Sequence, residues 1–174
     1  MPEHSYTSRA ELDQYAFRPV VTVLAPLACI LLQAMLPKTW SKFNYMDLPL
    51  IATIFFAVAR RNPITGTITG TIIGLLQDGL TNHPFGVFGI AKGIIGYIAA
   101  SIGFAVDVDN MTNRVLLNFG FSLLQSGLLY LISRRLLADP SVHLQPVHEL
   151  ICAAVTAVVA VPVFLLLDRF KLRE

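Results

Sequence analysis

The sequence predicts an all-α, polytopic membrane protein with six transmembrane helices. Hydrophobic residues make up 55% of its 174 residues and charged residues only 14%, whereas a soluble domain of this size carries more charge on its surface. The mean hydropathy is +0.64. The apolar residues also fall into six runs that short polar loops separate. Nearly the whole chain is therefore expected to form one membrane domain.

The first two apolar runs differ in length. The first span is predicted from Phe17 to Leu36, close to the ~20 residues that cross a bilayer. The second run covers residues 48–59, which is only 12 residues. Three arrangements would accommodate it: the helix extends back to Phe43, the bilayer thins around it, or it forms a partial helix that the other helices bury.

The third span, residues 64–80, and the fourth, residues 86–106, form a predicted hairpin rich in glycine. Glycines spaced by four lie on one helical face, where the missing side chains let another helix approach closely. We expect internal packing for Gly70 and assign the face of Gly89 and Gly93 to a partner helix. The glycines in question are Gly66, Gly70 and Gly74 in the third span, and Gly89, Gly93 and Gly96 in the fourth.

Two opposite charges stand in this hairpin. Asp78 lies seven residues before Phe85, and Lys92 lies seven residues after it. If the helices fold back at Phe85, the two charges reach the same depth and form a buried ion pair, because a charge inside a bilayer usually finds a partner. Alternatively, Asp78 lies among the lipid headgroups and Lys92 extends outward to the membrane surface. We favour the outward position for Lys92 and leave both alternatives open for Asp78.

The fifth span is predicted over residues 115–132 and the sixth over residues 149–167. The fifth contains three polar residues that are candidates for hydrogen bonds between helices, namely Asn118, Gln125 and Ser126. The predicted division of the chain has three parts. They are a cytoplasmic N-terminal segment (1–16), the membrane domain (17–168) and a cytoplasmic tail (169–174).

Six spans place both termini on the same side of the membrane. Eight lysine and arginine residues flank the spans on that side and four on the other, with Lys92 omitted because it lies inside a span. An excess of basic residues marks the cytoplasmic side. Both termini are therefore predicted to be cytoplasmic, and the turn between Asp78 and Pro84 is predicted to face outward.

The sequence favours a protein without catalytic, cofactor or metal sites. It contains no phosphate-binding loop and no GxSxG nucleophile motif, and its histidines lack the spacing of metal ligands. The basic residues are scattered and form no nucleic-acid patch. Asp47 and Asp78 are the one conceivable pair of catalytic acids, but no flanking motif supports that role and each has a simpler one at a helix end. Cys29 and Cys152 are interpreted as packing residues.

Three short motifs follow one another through the second, third and fourth spans. They are Asp47-Leu48-Pro49-Leu50 leading to Arg60-Arg61, Gly74-Leu75-Leu76-Gln77-Asp78, and Pro84-Phe85-Gly86. In this order and spacing, within a six-span chain of this length, the sequence resembles the MreD family of rod shape-determining membrane proteins. Lys92 departs from the family pattern, in which an uncharged residue is expected.

The resemblance implies a non-enzymatic scaffold of the bacterial elongation machinery in the cytoplasmic (inner) membrane. Such a scaffold acts in cell-shape maintenance and lateral peptidoglycan synthesis. The implied partners are MreC, the glycan polymerase RodA with its class B penicillin-binding transpeptidase and, indirectly, the MreB filament. The glycine faces would dock the single helix of MreC or a second copy of this chain.

The family fold is similar to the substrate-binding subunit of energy-coupling-factor vitamin transporters. That similarity implies an alternative function, the small-solute-binding subunit of a membrane transporter. Because binding pockets require several convergent polar groups and the spans contain few, the scaffold is the favoured interpretation.

Overall fold

The computed structural model describes residues 16–17, 19–39, 45–81, 84–103, 106, 110–135, 137, 145–169 and 171–172. These residues form six α-helices, which are α1 (Pro19–Thr39), α2 (Leu48–Arg60), α3 (Pro63–Thr81), α4 (Val87–Ile102), α5 (Met111–Arg135) and α6 (Pro146–Asp168). Each helix coincides with one predicted span, so the prediction of an all-α chain with six helices is confirmed. Helices α5 and α6 are long and apolar enough to cross a membrane, and α2, α4 and the stretch Val21–Met35 of α1 are shorter apolar helices.

Helix α2 is the centre of the bundle. Every residue from Leu48 to Ala59 is buried, and α2 packs against each of the other five helices. A helix that is apolar on all sides belongs in a core. Of the three arrangements considered for this short run, the structure shows the buried partial helix.

Both ends of α2 are fixed by local interactions. At its start, Asp47 Oδ1 accepts a hydrogen bond of 2.9 Å from the Leu50 backbone N–H, as an N-cap does. The side-chain oxygen of Gln33 in α1 accepts a second bond, of 3.2 Å, from the Leu48 N–H. At its end, Arg61 adopts a left-handed conformation with φ 49° and closes the helix. The position of Asp47 at a helix end agrees with the sequence prediction.

The core surrounds α2 with side chains from later helices. Ile51, Ile54 and Phe55 are almost fully buried and pack in one cluster with residues of α4, α5 and α6. The Phe55 and Phe164 rings meet edge to face with their centroids 5.0 Å apart, a geometry that aromatic pairs prefer. This cluster fixes how deeply α2 lies in the bundle.

Helices α3 and α4 pack backbone against backbone through their glycines. A Cβ atom added at Gly66 would lie 2.5 Å from the Gly96 carbonyl oxygen. One added at Gly70 or Gly74 would overlap the carbonyl oxygen of Lys92 or Phe88, respectively. The row of Gly66, Gly70 and Gly74 is therefore used inside the bundle.

The glycines of α4 also face α3. A Cβ atom at Gly93 would lie 2.5 Å from the Thr71 hydroxyl, and one at Gly89 would lie 2.8 Å from a methyl group of Leu75. Both glycines are buried. Assigning this face to a partner helix was wrong, because α3 already covers it and the two glycine rows pack against each other.

The two ends of the described chain meet. A short strand β1 (Ala16–Phe17) pairs antiparallel with β2 (Lys171–Leu172), with Ala16 opposite Leu172. Beside this pair, Arg114 at the start of α5 forms an ion pair with Asp168 at the end of α6. The start of α1 and the end of α6 therefore lie at the same end of the bundle, as an even number of spans requires.

Candidate functional site

A buried ion pair joins three helices near the middle of the bundle. Lys92 in α4 is 0% exposed, and its Nζ lies 2.7 Å from Oδ2 of Asp47, the residue that caps α2. The same Nζ donates to Gln125 Oε1 in α5 at 2.7 Å. Gln125 Nε2 in turn donates to Asp47 Oδ2, again at 2.7 Å. We call Asp47, Lys92 and Gln125 the polar triad.

Within the polar triad each member bonds to the other two. The Lys92 ammonium donates hydrogen bonds to Asp47 and Gln125. It also lies 5.2 Å from the centroid of the Phe88 ring, a cation–π distance. Asp47 accepts bonds with both carboxylate oxygens, since Oδ1 caps α2. A buried charge is tolerated when it is paired and hydrogen-bonded. The triad therefore connects α2, α4 and α5 by directional bonds within an otherwise apolar core.

The sequence identified the members of this cluster but not their pairing. Lys92 does not extend outward, and its ion pair is with Asp47 and not with Asp78. Asp47 and Lys92 are 45 residues apart, so no local spacing pairs them. One signal was available: Asp47 directly precedes an apolar run too short to cross the bilayer, and such a run is a candidate for burial within the bundle. Gln125 makes the interhelical bonds expected of it.

Asp78 has a different role from either alternative considered for it. It is 1% exposed, and its carboxylate accepts backbone N–H bonds from Gly86 at 2.8 Å, Phe88 at 3.1 Å and Gly89 at 3.3 Å. These donors open α4, where unpaired N–H groups and the helix dipole favour a negative charge. Asp78 is thus a cap supplied by the preceding helix.

This cap explains why the second and third motifs follow one another. Pro84 precedes the turn, and Gly86 has φ +100°, a conformation that glycine adopts without strain. The turn places the first N–H groups of α4 within hydrogen-bonding distance of the Asp78 carboxylate. The two motifs therefore form one structural unit, the closed end of the α3–α4 hairpin.

A polar cavity of about 570 Å³ opens next to the triad, at the end of the bundle opposite the paired termini. Asp47 and Gln125 belong to both the triad and the cavity. Its wall combines the ends of α1 and α3, the middle of α5 and the first turns of α6. The other described lining residues are Gln33, Ala34, Tyr45, Met46, Gln77, Leu80, Thr81, Phe88, Ser122, Ser126, Leu129, His148, Glu149, Cys152 and Thr156.

The cavity contains polar groups that the triad does not use. Glu149 Oε2 accepts a hydrogen bond from the Ser126 hydroxyl, which is the second interhelical bond expected from α5. Gln77 is 4% exposed, and its Oε1 has no hydrogen-bond partner. His148 lies against the Tyr45 ring and within 3.5 Å of the Cys152 sulfur. The arrangement can hold a small polar molecule by hydrogen bonds.

The remaining polar residues noted in the sequence have structural roles. The Asn118 amide donates within its own helix to the Arg114 carbonyl at 2.8 Å, not to another helix. Cys29 and Cys152 are both free thiols. Cys29 packs against the core cluster, as a packing residue does, whereas Cys152 lines the polar cavity. Among the residues that the structure describes, no three His, Cys, Asp or Glu side chains come together as metal ligands would.

The comparisons with known proteins assign the chain to a family. The family model described as rod shape-determining protein MreD matches residues 16–170. The chain matches no curated protein and no solved structure, so the expected likeness to the vitamin-transporter subunit stays a prediction. MreD proteins are non-enzymatic membrane proteins of cell-shape determination. A match that spans all six helices shows that this chain belongs to the MreD family of rod shape-determining membrane proteins.

Proposed function

We propose that this protein is a membrane scaffold of the elongation machinery that docks MreC. Through MreC it would link the MreB filament to RodA and its class B penicillin-binding transpeptidase. Family membership supports the role in cell shape. Because MreD proteins are not enzymes, the contribution of this protein to cell shape is expected to lie in binding other membrane proteins.

The docking part of the proposal rests on a surface groove. The groove lies beside a glycine that no other part of the described chain covers. The groove runs between α5 and α6, has a volume of about 580 Å³ and is lined almost wholly by apolar side chains. Leu116, which lines it, lies one turn before Gly120. A Cβ atom at Gly120 or Gly127 would meet nothing within 4 Å. Unlike the glycines at the α3–α4 contact, these two leave room for the backbone of a partner helix.

Small residues continue on the other wall of the groove. Ala154 and Ala157 of α6 line it together with Val158. In lipid, helices associate through close packing because apolar burial alone gives no advantage over lipid contact. An apolar transmembrane helix such as that of MreC fits this surface, which we call the α5–α6 groove.

The substitution Gly120→Leu is expected to abolish co-purification of MreC while the protein still folds. A leucine side chain would project into the space that the partner helix requires, yet its Cβ atom has no atom of this chain within 4 Å. Co-purification in detergent, with tagged MreC as bait, measures the loss. The matched control is Gly79→Leu, because Gly79 is also exposed and equally free of neighbours but lies on α3.

Three results are distinguishable in this experiment. Loss of MreC with Gly120→Leu and retention with Gly79→Leu supports docking in the α5–α6 groove. Retention with both variants removes the groove as the docking site. Loss of self-association alone, measured by differently tagged copies, would instead assign the groove to a homodimer.

Both termini are proposed to be cytoplasmic, which places the opening of the polar cavity on the outer side. The excess of basic residues on the terminal side supports this orientation. A single cysteine at Glu3 or Glu174, in a background without Cys29 and Cys152, should react with a membrane-impermeant maleimide only after the cells are opened. Labelling of either cysteine in intact spheroplasts would reverse the orientation.

The polar cavity also favours a second candidate function, the small-solute-binding subunit of a transporter. The scaffold and the transporter subunit differ in the phenotype of a depleted strain. Loss of a scaffold gives rounded cells, whereas loss of a transporter subunit leaves rods that no longer take up one solute. Depletion followed by microscopy therefore separates the two functions.

A further inference from the structure

We propose that the polar cavity binds a small organic ammonium ion with an apolar body. The cavity volume of about 570 Å³ lies within the range of roughly 300–1,000 Å³ that is typical of ligand pockets. This inference does not depend on the docking of MreC, because the α5–α6 groove and the cavity share no lining residue.

An unsatisfied acceptor indicates that the ligand supplies a hydrogen-bond donor. Gln77 lines the cavity, is 4% exposed and has an Oε1 without a partner. A buried acceptor that lacks a partner loses its hydration without compensation, which is unfavourable. An ammonium group carries three donors and no acceptor. Gln77 Oε1 has almost no exposed surface, so the Gln77 side chain must rotate before this oxygen and a neighbouring carboxylate can both bond to the ammonium group.

The charges around the cavity favour a cation. Glu149 lines it, and none of the described lining residues is a lysine or an arginine. The charge of Asp47 is balanced by Lys92, which lies behind the wall with no exposed surface. Glu149 therefore remains as a carboxylate without a basic partner among the described lining residues, and it bonds to the Ser126 hydroxyl.

The helix ends at this side of the bundle do not favour an anion. Helix N-termini attract negative charge, and α2, α4 and α6 all begin here. Each already has a carboxylate: Asp47 caps α2, Asp78 caps α4, and Glu149 lies in the first turn of α6. An anionic ligand would have to compete with these three groups for the helix ends, whereas the Glu149 carboxylate, which no described lysine or arginine of the lining balances, would attract a cation.

The apolar part of the wall favours an organic cation. The described lining includes Ala34, Met46, Leu80, Phe88 and Leu129, which would contact a hydrocarbon or aromatic body. The described residues also lack a cluster of three metal-binding side chains. The ammonium group could belong to a free amine or to the headgroup of an aminophospholipid, since both present the same donors.

Binding is tested with three probes of similar size but different charge. Phenethylamine carries an ammonium group, 2-phenylethanol a neutral hydroxyl group, and 3-phenylpropionate a carboxylate. Titration calorimetry of the purified protein in neutral detergent should show saturable binding of phenethylamine, weaker binding of 2-phenylethanol and none of 3-phenylpropionate. The neutral probe also measures partition into the micelle.

Four variants locate the site. Glu149→Gln should weaken phenethylamine binding by at least about tenfold, because a charge-assisted hydrogen bond is replaced by a neutral one. Gln77→Glu should tighten it, since it adds a carboxylate of the same shape. Ala34→Phe should abolish it by filling the cavity. Asp168→Asn, which removes a carboxylate at the far end of α6, should leave the affinity unchanged.

The outcomes separate the possible sources of the ammonium group. If phosphatidylethanolamine in nanodiscs competes with phenethylamine and phosphatidylglycerol does not, the ligand is a lipid headgroup. If neither lipid competes, the ligand is a free amine. The proposal is overturned if phenethylamine shows no saturable binding, if 3-phenylpropionate binds more tightly, or if Glu149→Gln and Asp168→Asn have equal effects.

Discussion

Gly70→Leu will prevent α3 and α4 from packing, and little folded protein will be recovered. A Cβ atom at this position already overlaps the Lys92 carbonyl oxygen, which is backbone and cannot rotate away. Overpacking in a core typically costs about 1–3 kcal/mol and occasionally more. Here the upper part of that range applies, because the helices must separate along the row of glycines. Size-exclusion chromatography in detergent, with the yield of monodisperse protein, measures the effect.

The control for this experiment is Gly79→Leu in the same helix. Gly79 has no neighbour within 4 Å of an added Cβ atom, and glycine in a helix is about 1 kcal/mol less favourable than alanine. The control variant should therefore fold at least as well as the unmodified protein. If Gly70→Leu gave a normal yield, the close α3–α4 contact in this structure would be wrong.

Removing one charge of the polar triad is expected to destabilise the protein strongly. Lys92→Met leaves the Asp47 carboxylate without its cation, and Asp47→Asn leaves the Lys92 ammonium without its anion. Breaking a buried ion pair from one side typically costs about 3–5 kcal/mol. Asparagine caps a helix about as well as aspartate, so the Asp47→Asn change tests the ion pair and not the cap of α2.

The double variant Asp47→Asn/Lys92→Met is expected to lose less stability than the sum of the losses in the two single variants. With both charges removed, no unpaired ion remains in the core, and Gln125 can still bond to the asparagine. Stability is measured by thermal denaturation in detergent. The coupling between two residues in contact is the difference between the double loss and the summed single losses.

Asp78→Asn provides the matched comparison for this cycle. Asp78 bonds to backbone N–H groups of α4 and shares no hydrogen-bond partner with Lys92. Combined with Lys92→Met, it should therefore show much weaker coupling than Asp47→Asn does. Stronger coupling of Lys92 to Asp78 than to Asp47 would contradict the pairing described here.

The sequence was sufficient to locate the helices because each span is a local signal. Apolar runs bounded by polar residues or proline give the six elements within a few residues. The fourth and fifth spans differ most from the prediction. The fourth was expected to continue to residue 106, but α4 ends at Ile102, and the fifth was expected over residues 115–132, but α5 extends from Met111 to Arg135. Gly103, one residue after the end of α4, lies close to the backbone of Val58.

The contacts between helices were less predictable because they depend on how each helix is rotated about its axis. Their spacing shows that Gly89 and Gly93 lie on one face of α4, but it does not show which helix packs against that face. The symmetric placement of Asp78 and Lys92 about Phe85 was misleading for the same reason. Close packing of α3 on α4 brings the Asp78 carboxylate to the α4 backbone, while the Lys92 side chain turns towards α2.

The candidate site was partly visible in the sequence. Asp47, Lys92 and Gln125 each stood out as polar residues in or beside an apolar run. Gln77 stood out only as a member of the second motif, and Glu149 did not stand out, because an isolated polar residue near a helix end is ordinary. Their importance depends on the cavity, which forms only when segments far apart in the chain come together.

The existence of the cavity follows from the length of α2. Thirteen residues at a rise of 1.5 Å give a rod of about 20 Å, whereas the hydrocarbon layer is about 30 Å thick. The longer helices around it continue past its first residue, and the cavity begins there, at Tyr45, Met46 and Asp47. The cavity thus occupies the place of the missing first turns of a transmembrane helix, and Asp47, the residue that caps the start of α2, forms part of its wall.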